Sequence, residues 1–363
     1  MLASPVPRLS DRSTEPMTYQ PKAVALISGG LDSMLAAKTI LEQGVHVEGI
    51  NFFTGFCVEG HTHAIRDKGR IKPKRNNALW TAEQLGIKLH IIDVVEEYKD
   101  VVINPKHGYG ANLNPCLDCK GFMVRQAYQW LKENGFDFIV TGEVIGQRPM
   151  SQRRDTLPVV ARESGAGDRL LRPLCAKLLP PTLPEREGWV KREQLFDFNG
   201  RSRKPQMALA TQWGISEYSQ PAGGCCFLTD PNYTKKIEDM WSTRGDKHYD
   251  LDDIMLMKVG RHLRPRPHFK IIVGREEGEN NFMDGYRHRF ASLRPLSHKG
   301  PLVLLDGRAD PDDFRLAAQL TGRFSQGRDA ALVNVGIIEK CGHAYEIAVP
   351  PLRNDEIPKE WYL

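Results

Sequence analysis

The chain has 363 residues, of which 40% are hydrophobic and 26% charged, and its formal net charge is +5 at pH 7. This length exceeds one average domain and indicates roughly two or three. No window approaches the roughly 18 uninterrupted apolar residues of a membrane span, so none is expected. The seven cysteines are an odd number without an apolar secretion signal, which favours metal or catalytic use in a reducing cytoplasm over a disulfide framework.

Residues 1–20 carry proline, serine, threonine and charge but no apolar stretch, which predicts a disordered tail. Next, the apolar run at 23–27 predicts a buried strand, and the run that begins at Met34 has helical spacing. The sequence SGGLDS at 28–33 therefore forms a glycine turn at a helix N-terminus. Backbone N–H groups and the positive end of the helix dipole converge there, which predicts a site for an anion of phosphate type.

Further apolar runs alternate with helical candidates along the first half of the chain. The strand candidates are 45–53, 89–95 and 138–141, and the helical candidates are 76–85 and 121–133. Strands that alternate with helices of this length predict an α/β fold with a doubly wound parallel sheet.

Residues 155–205 are rich in proline, arginine and glutamate, which predicts an irregular extension that closes on a helix at 205–213 and on the loop SQPAGGCC. We expect a catalytic domain over 21–230, with 155–230 as its irregular extension. A helical connector is predicted over 231–254.

The remaining residues, 255–363, alternate strand candidates with one helix candidate at 312–324, which predicts a smaller α+β domain. The strand candidates are 268–274, 301–307, 330–337 and 344–349. The stretch 258–275 has six lysines or arginines and no acid, so a solvated basic face and a contact with RNA or phosphate are both open. Its basic residues are Lys258, Arg261, Arg264, Arg266, Lys270 and Arg275.

The cysteines offer several kinds of chemistry. Cys116 and Cys119 form a CxxC, and Cys225 and Cys226 follow much later in the chain. Such thiols can be redox-active, bind zinc or hold an iron–sulfur cluster. A thioredoxin-like dithiol is disfavoured because no compact βαβ redox context surrounds the CxxC, and zinc would need four ligands. A pair plus one distant cysteine would leave one iron of a 4Fe-4S cluster open to a ligand such as sulfide, while unliganded thiols remain the alternative.

Other cysteines are predicted to pack as small hydrophobes. Cys57, Cys175 and Cys341 stand alone, and burial is the expected state for each. Cys226 precedes Phe-Leu, so it is a candidate for the core as well.

The SGGxDS loop resembles the PP-loop of the ATP pyrophosphatase superfamily, whose members split ATP between the α and β phosphates and leave an adenylated intermediate. The resemblance implies that the loop holds pyrophosphate through Ser28, Gly29, Gly30 and Ser33. It also implies that Asp32 organises Mg²⁺ or the phosphates.

The segment TGEVIGQ at 141–147, followed by Met-Ser-Gln at 150–152, resembles the tRNA 4-thiouridine synthetases. NPCxxC resembles the cluster-bearing cysteines of iron–sulfur-dependent tRNA thiolation enzymes, and the similarity covers roughly residues 21–230. This implies a nucleotide and target-base pocket formed by Gly142, Glu143 and Gln147. It further implies a cluster held by Cys116, Cys119 and Cys225, with Cys225 preferred over Cys226 because a glycine turn directly precedes it.

The last domain resembles the RNA-binding domain at the C-terminus of the NFACT proteins of ribosome quality control, over about residues 255–350. The resemblance rests on GREEGEN at 274–280 and on the DDFRLAAQLTGRF segment. It implies salt-sensitive phosphate contacts by the six basic residues of 258–275. A second basic set, Arg148, Arg153 and Arg154, either steers an RNA backbone past the active site or is surface cover.

These resemblances together imply an ATP-dependent tRNA sulfurtransferase that adenylates a uridine carbonyl oxygen and replaces it with sulfur. The expected product is 4-thiouridine, and the expected cofactors are ATP, Mg²⁺ and a 4Fe-4S cluster. The expected partners are tRNA and a sulfur donor, either sulfide or a cysteine desulfurase, and a homodimer is left open. Three alternatives remain: a 2-thiouridine-forming enzyme, a PP-loop enzyme that amidates a small molecule, and a non-catalytic ATP- and RNA-binding protein.

Overall fold

Two β-sheets organise the chain, one parallel and one antiparallel. The structure, a computed structural model, describes residues 19–58, 76–218 and 226–363. The predicted tail up to residue 18 and Cys225 lie outside the described residues, so the predictions made for them are not addressed by the structure.

The first sheet in the described residues has five parallel strands in the order β3-β2-β1-β4-β5. Its strands are β1 (Lys22–Leu26), β2 (His46–Phe53), β3 (Leu89–Asp93), β4 (Phe138–Val140) and β5 (Leu170–Leu171). The predicted doubly wound parallel sheet is confirmed. The short β5 was not predicted, because two residues are too few for a periodic pattern.

Helices cover both faces of this sheet. They are α1 (Leu31–Leu41), α2 (Asn77–Leu85), α3 (Val95–Ile103), α4 (Cys116–Asn134), α5 (Thr156–Glu163), α6 (Leu183–Arg186) and α7 (Lys204–Gln212). Successive residues of β1 point to opposite faces. Ala23 and Ala25 therefore join the core formed with α1, and Val24 joins the core formed with α4.

Helix α4 begins five residues before its predicted start, at Cys116. Its first residues, CLDCK, carry little apolar periodicity, which explains the difference. Cys116 and Cys119 therefore lie in the first turn of a helix and not in a loop ahead of it.

Two helices, α8 (Pro231–Arg244) and α9 (Leu251–Leu256), follow the described part of the cysteine loop. The Asp230 side chain caps α8 by accepting hydrogen bonds from the backbone N–H groups of Asn232 and Tyr233. Tyr233 and Tyr249 pack edge-on against Phe56, so the connector is part of the parallel sheet's core.

The second sheet has six antiparallel strands in the described residues, in the order β11-β10-β8-β9-β7-β6. They are β6 (Arg261–Arg266), β7 (Phe269–Val273), β8 (Ala291–Pro295), β9 (Val303–Gly307), β10 (Val333–Ile338) and β11 (Ala344–Val349), accompanied by α10 (Glu277–Asp284) and α11 (Pro311–Arg323). The predicted α+β character is confirmed. Strands β6 and β8 and helix α10 were not predicted, because their polar residues obscure the apolar pattern. In the described ranges no helix is both long and apolar enough to cross a membrane.

Candidate nucleotide site

The strand order changes direction between β1 and β4. Strands β2 and β3 lie on one side of β1, whereas β4 and β5 lie on the other. Helices that leave neighbouring strands toward opposite faces open a crevice at the carboxyl ends of those strands, which is where ligands bind in open α/β sheets. The loop 28–33 follows β1 and the segment 141–147 follows β4, so both predicted ligand segments lie at this crevice.

Gly142 allows these two segments to touch. A Cβ atom at this position would lie 2.5 Å from the backbone carbon and oxygen of Asp32 and from the backbone nitrogen of Ser33. A real Cβ does not approach backbone atoms so closely, so no other residue fits without displacing the start of α1. The crevice therefore depends on glycine here.

The loop 28–33 is closed by its own hydrogen bonds. Ser33 Oγ donates to the Gly30 carbonyl over 2.8 Å and accepts from the Ser28 backbone N–H over 3.3 Å. Ser33 is buried, and Ser28 is exposed. The Ser28 hydroxyl also donates to Ser33 Oγ over 3.3 Å. Ser33 thus shapes the loop, while Ser28 is the serine that the loop exposes toward a ligand.

Glycines leave the loop's backbone open toward the helix end. Gly29 has φ +78°, and a Cβ there would lie 2.7 Å from Asn77 Cβ at the start of α2. Gly30 is the N-cap of α1 and has no side chain with which to cover the first N–H groups. These groups and the helix dipole suit a phosphate group, as the sequence predicted.

Asp32 lies in the first turn of α1 with one oxygen bonded and the other not. Its Oδ2 accepts a hydrogen bond from Gln147 Nε2 over 2.7 Å. Its Oδ1 is buried and has no partner in the part of the chain that the structure describes. Burial raises the pKa of Asp32, and the Gln147 hydrogen bond and the charges of Arg203 and Arg148 oppose this rise.

Two residues of this network were missed by sequence reasoning. Gln206, fully buried near the start of α7, donates to Gln147 Oε1 over 3.3 Å. Gln206 Oε1 and Arg203 Nε are buried without a hydrogen-bond partner among the described residues. The only signal in the sequence was the helix predicted at 205–213, which follows an arginine-rich turn. The extension therefore supplies polar groups to the crevice.

Glu143 is buried and held by other side chains of the protein, and its contact with a nucleotide stays a prediction. It is 1% exposed, and its Oε2 accepts hydrogen bonds from Thr141 Oγ1 at 2.8 Å and from Arg172 Nε at 3.0 Å. Burial alone would raise the pKa of Glu143, but the charges of Lys120 and Arg172 and these hydrogen bonds hold it below its ordinary value. Glu143 therefore ties the 141–147 segment to Arg172, the residue that follows β5.

The CxxC lies beside this segment. Cys116 Sγ donates to the hydroxyl of buried Ser151 over 3.4 Å, and Lys120 acts electrostatically on Glu143. Cys119 is half-buried and packs against the core between α4 and the sheet. Two of the three predicted cluster ligands are thus near the crevice. In the described residues no group of three potential metal ligands occurs, and Cys225 is not among those residues.

The lone cysteines differ from one another. Cys175 is fully buried as predicted, and burial raises its pKa to about 11. The same prediction is wrong for Cys341, which is exposed, and Cys57 is only half-buried. Cys226 is half-buried and packs against the core with Phe227.

Burial and ion pairs limit which of the six predicted basic residues can reach an RNA phosphate. Lys258 and Lys270 are each 4% exposed, which leaves them no surface for a phosphate and corrects the prediction for these two residues. Arg264 pairs with Asp239, and Arg266 pairs with Asp313.

The remaining basic candidates reach the surface. Arg261 and Arg275 are exposed, although Arg275 pairs with Glu279. Arg148, Arg153 and Arg154 are also exposed, and Arg153 pairs with Asp155. Phosphate contact by these residues stays a prediction.

The chemistry of the crevice suits phosphate groups and Mg²⁺. Backbone N–H groups and Ser28 suit phosphates, and Asp32 Oδ1, which has no hydrogen-bond partner among the described residues, is a ligand of the type Mg²⁺ takes in nucleotide sites. The fold and the site together define a nucleotide-binding α/β protein with a PP-loop-like phosphate cradle at the switch point.

Comparisons with known proteins narrow this class. Residues 21–158 match the family model of the tRNA methyl transferase HUP domain, and residues 260–362 match that of the NFACT protein RNA binding domain. The tRNA-specific 2-thiouridylase MnmA of Thermobifida fusca is 31% identical over 282 residues, which cover 76% of this chain and 71% of the relative. The chain therefore belongs to the PP-loop family of tRNA thiolation enzymes that includes these 2-thiouridylases.

Other matches are more distant. The 2-thiouridylase MnmA of Mesoplasma florum is 24% identical over 255 residues, or 67% of this chain and 64% of the relative, so the chain spans just under two thirds of that relative's length. A solved structure, a predicted subunit of tRNA methyltransferase from Methanocaldococcus jannaschii, is 14% identical. The match covers 63% of this chain and 92% of that chain, with a TM-score of 0.35.

Proposed function

We propose that this protein catalyses the ATP-dependent thiolation of a uridine in tRNA and forms 2-thiouridine. The observation that carries the proposal is the convergence of three segments on one crevice: the loop 28–33, the segment 141–147 and the first turn of α4. They supply a phosphate cradle, a base-side wall and thiols. The names of the relatives favour 2-thiouridine over the 4-thiouridine that the sequence motifs suggested.

The cradle would bind ATP through its phosphates. The N-terminus of α1, Ser28 and the glycines would face the β and γ phosphates. Asp32 Oδ1 would hold Mg²⁺, which when bound supplies positive charge to the phosphates. Gln147 and Gln206 would keep the Asp32 carboxylate in place for this role.

The reaction then has two displacements. The uridine, unstacked from its neighbours to enter the crevice, attacks the α-phosphorus through its carbonyl oxygen, and pyrophosphate leaves into the cradle. A sulfur nucleophile next attacks the activated carbon and expels AMP. Donors that are fixed before reaction would stabilise the negative charge on the α-phosphate oxygens, with Arg148 and Arg203 as candidate cations.

The carrier of the sulfur atom is a separate part of the proposal. A 4Fe-4S cluster on Cys116, Cys119 and Cys225 remains a prediction, and the relatives' names do not support it. A sulfur atom carried on a cysteine thiol is the alternative. Iron analysis and absorbance near 400 nm of anaerobically purified protein distinguish the two.

The antiparallel domain would hold the tRNA. Its match to an RNA-binding family model supports this role, and Arg261 and Arg275 are its exposed candidates from the basic stretch. Arg148, Arg153 and Arg154 would guide the backbone past the crevice. Sulfide or a cysteine desulfurase would supply sulfur in the cytoplasm.

The test is mass spectrometry of nucleosides from tRNA incubated anaerobically with protein, ATP, Mg²⁺ and sulfide. We expect 2-thiouridine with the native chain and none with Asp32→Asn, which keeps the size of the side chain. Exposed Asp155→Asn is the matched control and should retain activity. Formation of 4-thiouridine would instead support the product that the sequence motifs predict, and pyrophosphate release without a thiolated nucleoside would indicate another acceptor.

A further inference from the structure

Cys57 and Cys226 face each other across a short antiparallel bridge between two segments that are far apart in the sequence. The Phe227 backbone N–H donates to the Phe56 carbonyl over 2.9 Å, which joins the residue after Cys226 to the residue before Cys57. This pattern makes the two cysteines a non-hydrogen-bonded pair, in which Cα atoms lie about 4.5 Å apart. Disulfides form at Cα separations of roughly 4.4–6.8 Å, so the backbone suits a disulfide without rearrangement.

The core holds both segments firmly. Phe56 and Leu228 are 1% and 0% exposed, on either side of the bridge. The rings of Phe56 and Phe227 both pack on Tyr233, with centroid distances of 6.3 and 5.1 Å. The cysteines themselves are half-buried, so reagents can reach them while the backbone around them is fixed. Thiols held in this way react with each other at a high effective concentration.

A buried cation lies at the same place. Lys258 donates from Nζ to the Gly55 carbonyl and lies 5.1 Å from the centroid of the Phe227 ring, so it joins the two segments from one side. Burial lowers the pKa of Lys258 to about 8, and interaction with Cys57 opposes this change. Lys258 therefore ties the segment that carries Cys57 to the segment that carries Cys226.

We propose that Cys57 is the resolving thiol of Cys226, that is, the thiol that attacks Cys226 whenever its sulfur is oxidised. The product is a Cys57–Cys226 disulfide. Nothing in the motifs singled out Cys57, because its partner is remote in sequence and the pairing exists only in the fold.

The reaction balances for two oxidised forms of Cys226. In a mixed disulfide with a small thiol, Cys57 thiolate attacks Cys226 Sγ, and the small thiol leaves as its thiolate. In a persulfide, the same attack breaks the sulfur–sulfur bond and releases the terminal sulfur as hydrosulfide, so that sulfur is reduced while Cys57 is oxidised. An external dithiol then returns both cysteines to thiols. The disulfide is independent of the proposed function, whereas use of the released sulfur for tRNA rests on it.

The first experiment uses the full-length native chain. The protein is oxidised with glutathione disulfide, blocked with an alkylating reagent and digested, and the disulfide-linked peptides are identified by mass spectrometry. We expect a peptide pair that joins Cys57 to Cys226. A pair that joins Cys226 to Cys119, or Cys226 bearing only glutathione, would overturn the proposal.

The second experiment follows the persulfide. Native protein and Cys57→Ser are treated with sodium polysulfide and freed of it by gel filtration, and hydrosulfide release is followed over time. We expect release from the native chain to exceed that from Cys57→Ser by at least about tenfold, with the persulfide retained on Cys226 in the variant. Exposed Cys341→Ser is the matched control and should behave like the native chain. Equal release from native protein and Cys57→Ser contradicts the proposal.

Neither experiment contains ATP or tRNA, so their outcome is separate from that of the thiolation assay. A folded Cys57→Ser chain is verified by its thermal transition. If it unfolds, Cys57→Ala in the same assay and the peptide mapping of the native chain still decide the question.

Discussion

Gln147 Nε2 donates a hydrogen bond to Asp32 Oδ2 over 2.7 Å and thereby links the segment after β4 to the first turn of α1. The two residues are 115 positions apart, and each belongs to a different predicted ligand segment. Because Gln206 in turn donates to Gln147, the carboxylate of Asp32 is oriented by a chain of two amides. These hydrogen bonds hold the Asp32 carboxylate in one orientation before a ligand binds.

Removal of the middle amide should therefore weaken ATP use. In Gln147→Ala, Asp32 loses its hydrogen-bond donor, and we expect kcat/KM for pyrophosphate release to fall by about tenfold, in keeping with loss of one hydrogen bond to a charged group. Gln212→Ala, at the exposed end of α7, is the control. An unchanged kcat/KM in Gln147→Ala would show that the amide does not orient the carboxylate.

Burial of Asp32 makes the stability of the protein depend on pH. Its pKa is raised in the folded state, so folding favours the neutral form, and ionisation above the raised pKa costs stability. We expect Asp32→Asn to be more stable than the native chain at neutral pH, with a difference that shrinks as pH falls through the raised pKa. Urea unfolding in chelator without nucleotide measures this. A variant less stable than the native chain at neutral pH would contradict the prediction.

Gly142→Ala tests the contact between the two ligand segments. Its Cβ would meet the backbone at Asp32, so we expect a loss of stability of about 1–3 kcal/mol and loss of ATP binding. Gly121→Ala in α4 is the matched control, because its Cβ meets nothing within 4 Å among the described residues. That substitution should stabilise the helix by about 0.5–1 kcal/mol, as judged by urea unfolding.

The stability of the protein should depend on the buried ion pair between Glu143 and Arg172, because loss of one partner leaves the other charge unpaired. Arg172→Met leaves a buried carboxylate without its cation and should cost about 3–5 kcal/mol of unfolding free energy. Arg172→Met combined with Glu143→Gln should recover part of this loss. The exposed pair of Arg153 and Asp155 is the control, for which Arg153→Met should cost less than about 1 kcal/mol. Equal losses in the two single variants would argue against a special role for burial.

Local patterns predicted the parallel sheet and its glycine loop, because strand periodicity and the glycine–serine turn are properties of neighbouring residues. Local patterns did not predict which lysines of the basic stretch 258–275 are buried. A solvated basic face was one of its predicted states, yet the fold buries Lys258 and Lys270. Arg203 and Gln206 were missed because their positions depend on how an irregular, proline-rich segment returns to the crevice.

The contacts of the cysteines could likewise be predicted only where the residues are close in the sequence. The spacing of Cys116 and Cys119 marked them as a unit, and the structure brings Cys116 to Ser151 beside the 141–147 segment. The pairing of Cys57 with Cys226 has no spacing signal, because it arises from two remote segments that pack on one tyrosine. Only three-dimensional packing reveals it.

The hydrogen bond from Lys258 to the carbonyl of Gly55 also has a consequence for synthesis of the chain. The lysine emerges from the ribosome 203 residues after the glycine whose carbonyl it binds. The turn that carries Cys57 therefore lacks its buried cation while the intervening sequence is translated. The contact that completes this turn is therefore supplied by the segment that immediately precedes the antiparallel sheet, and only after that segment has been made.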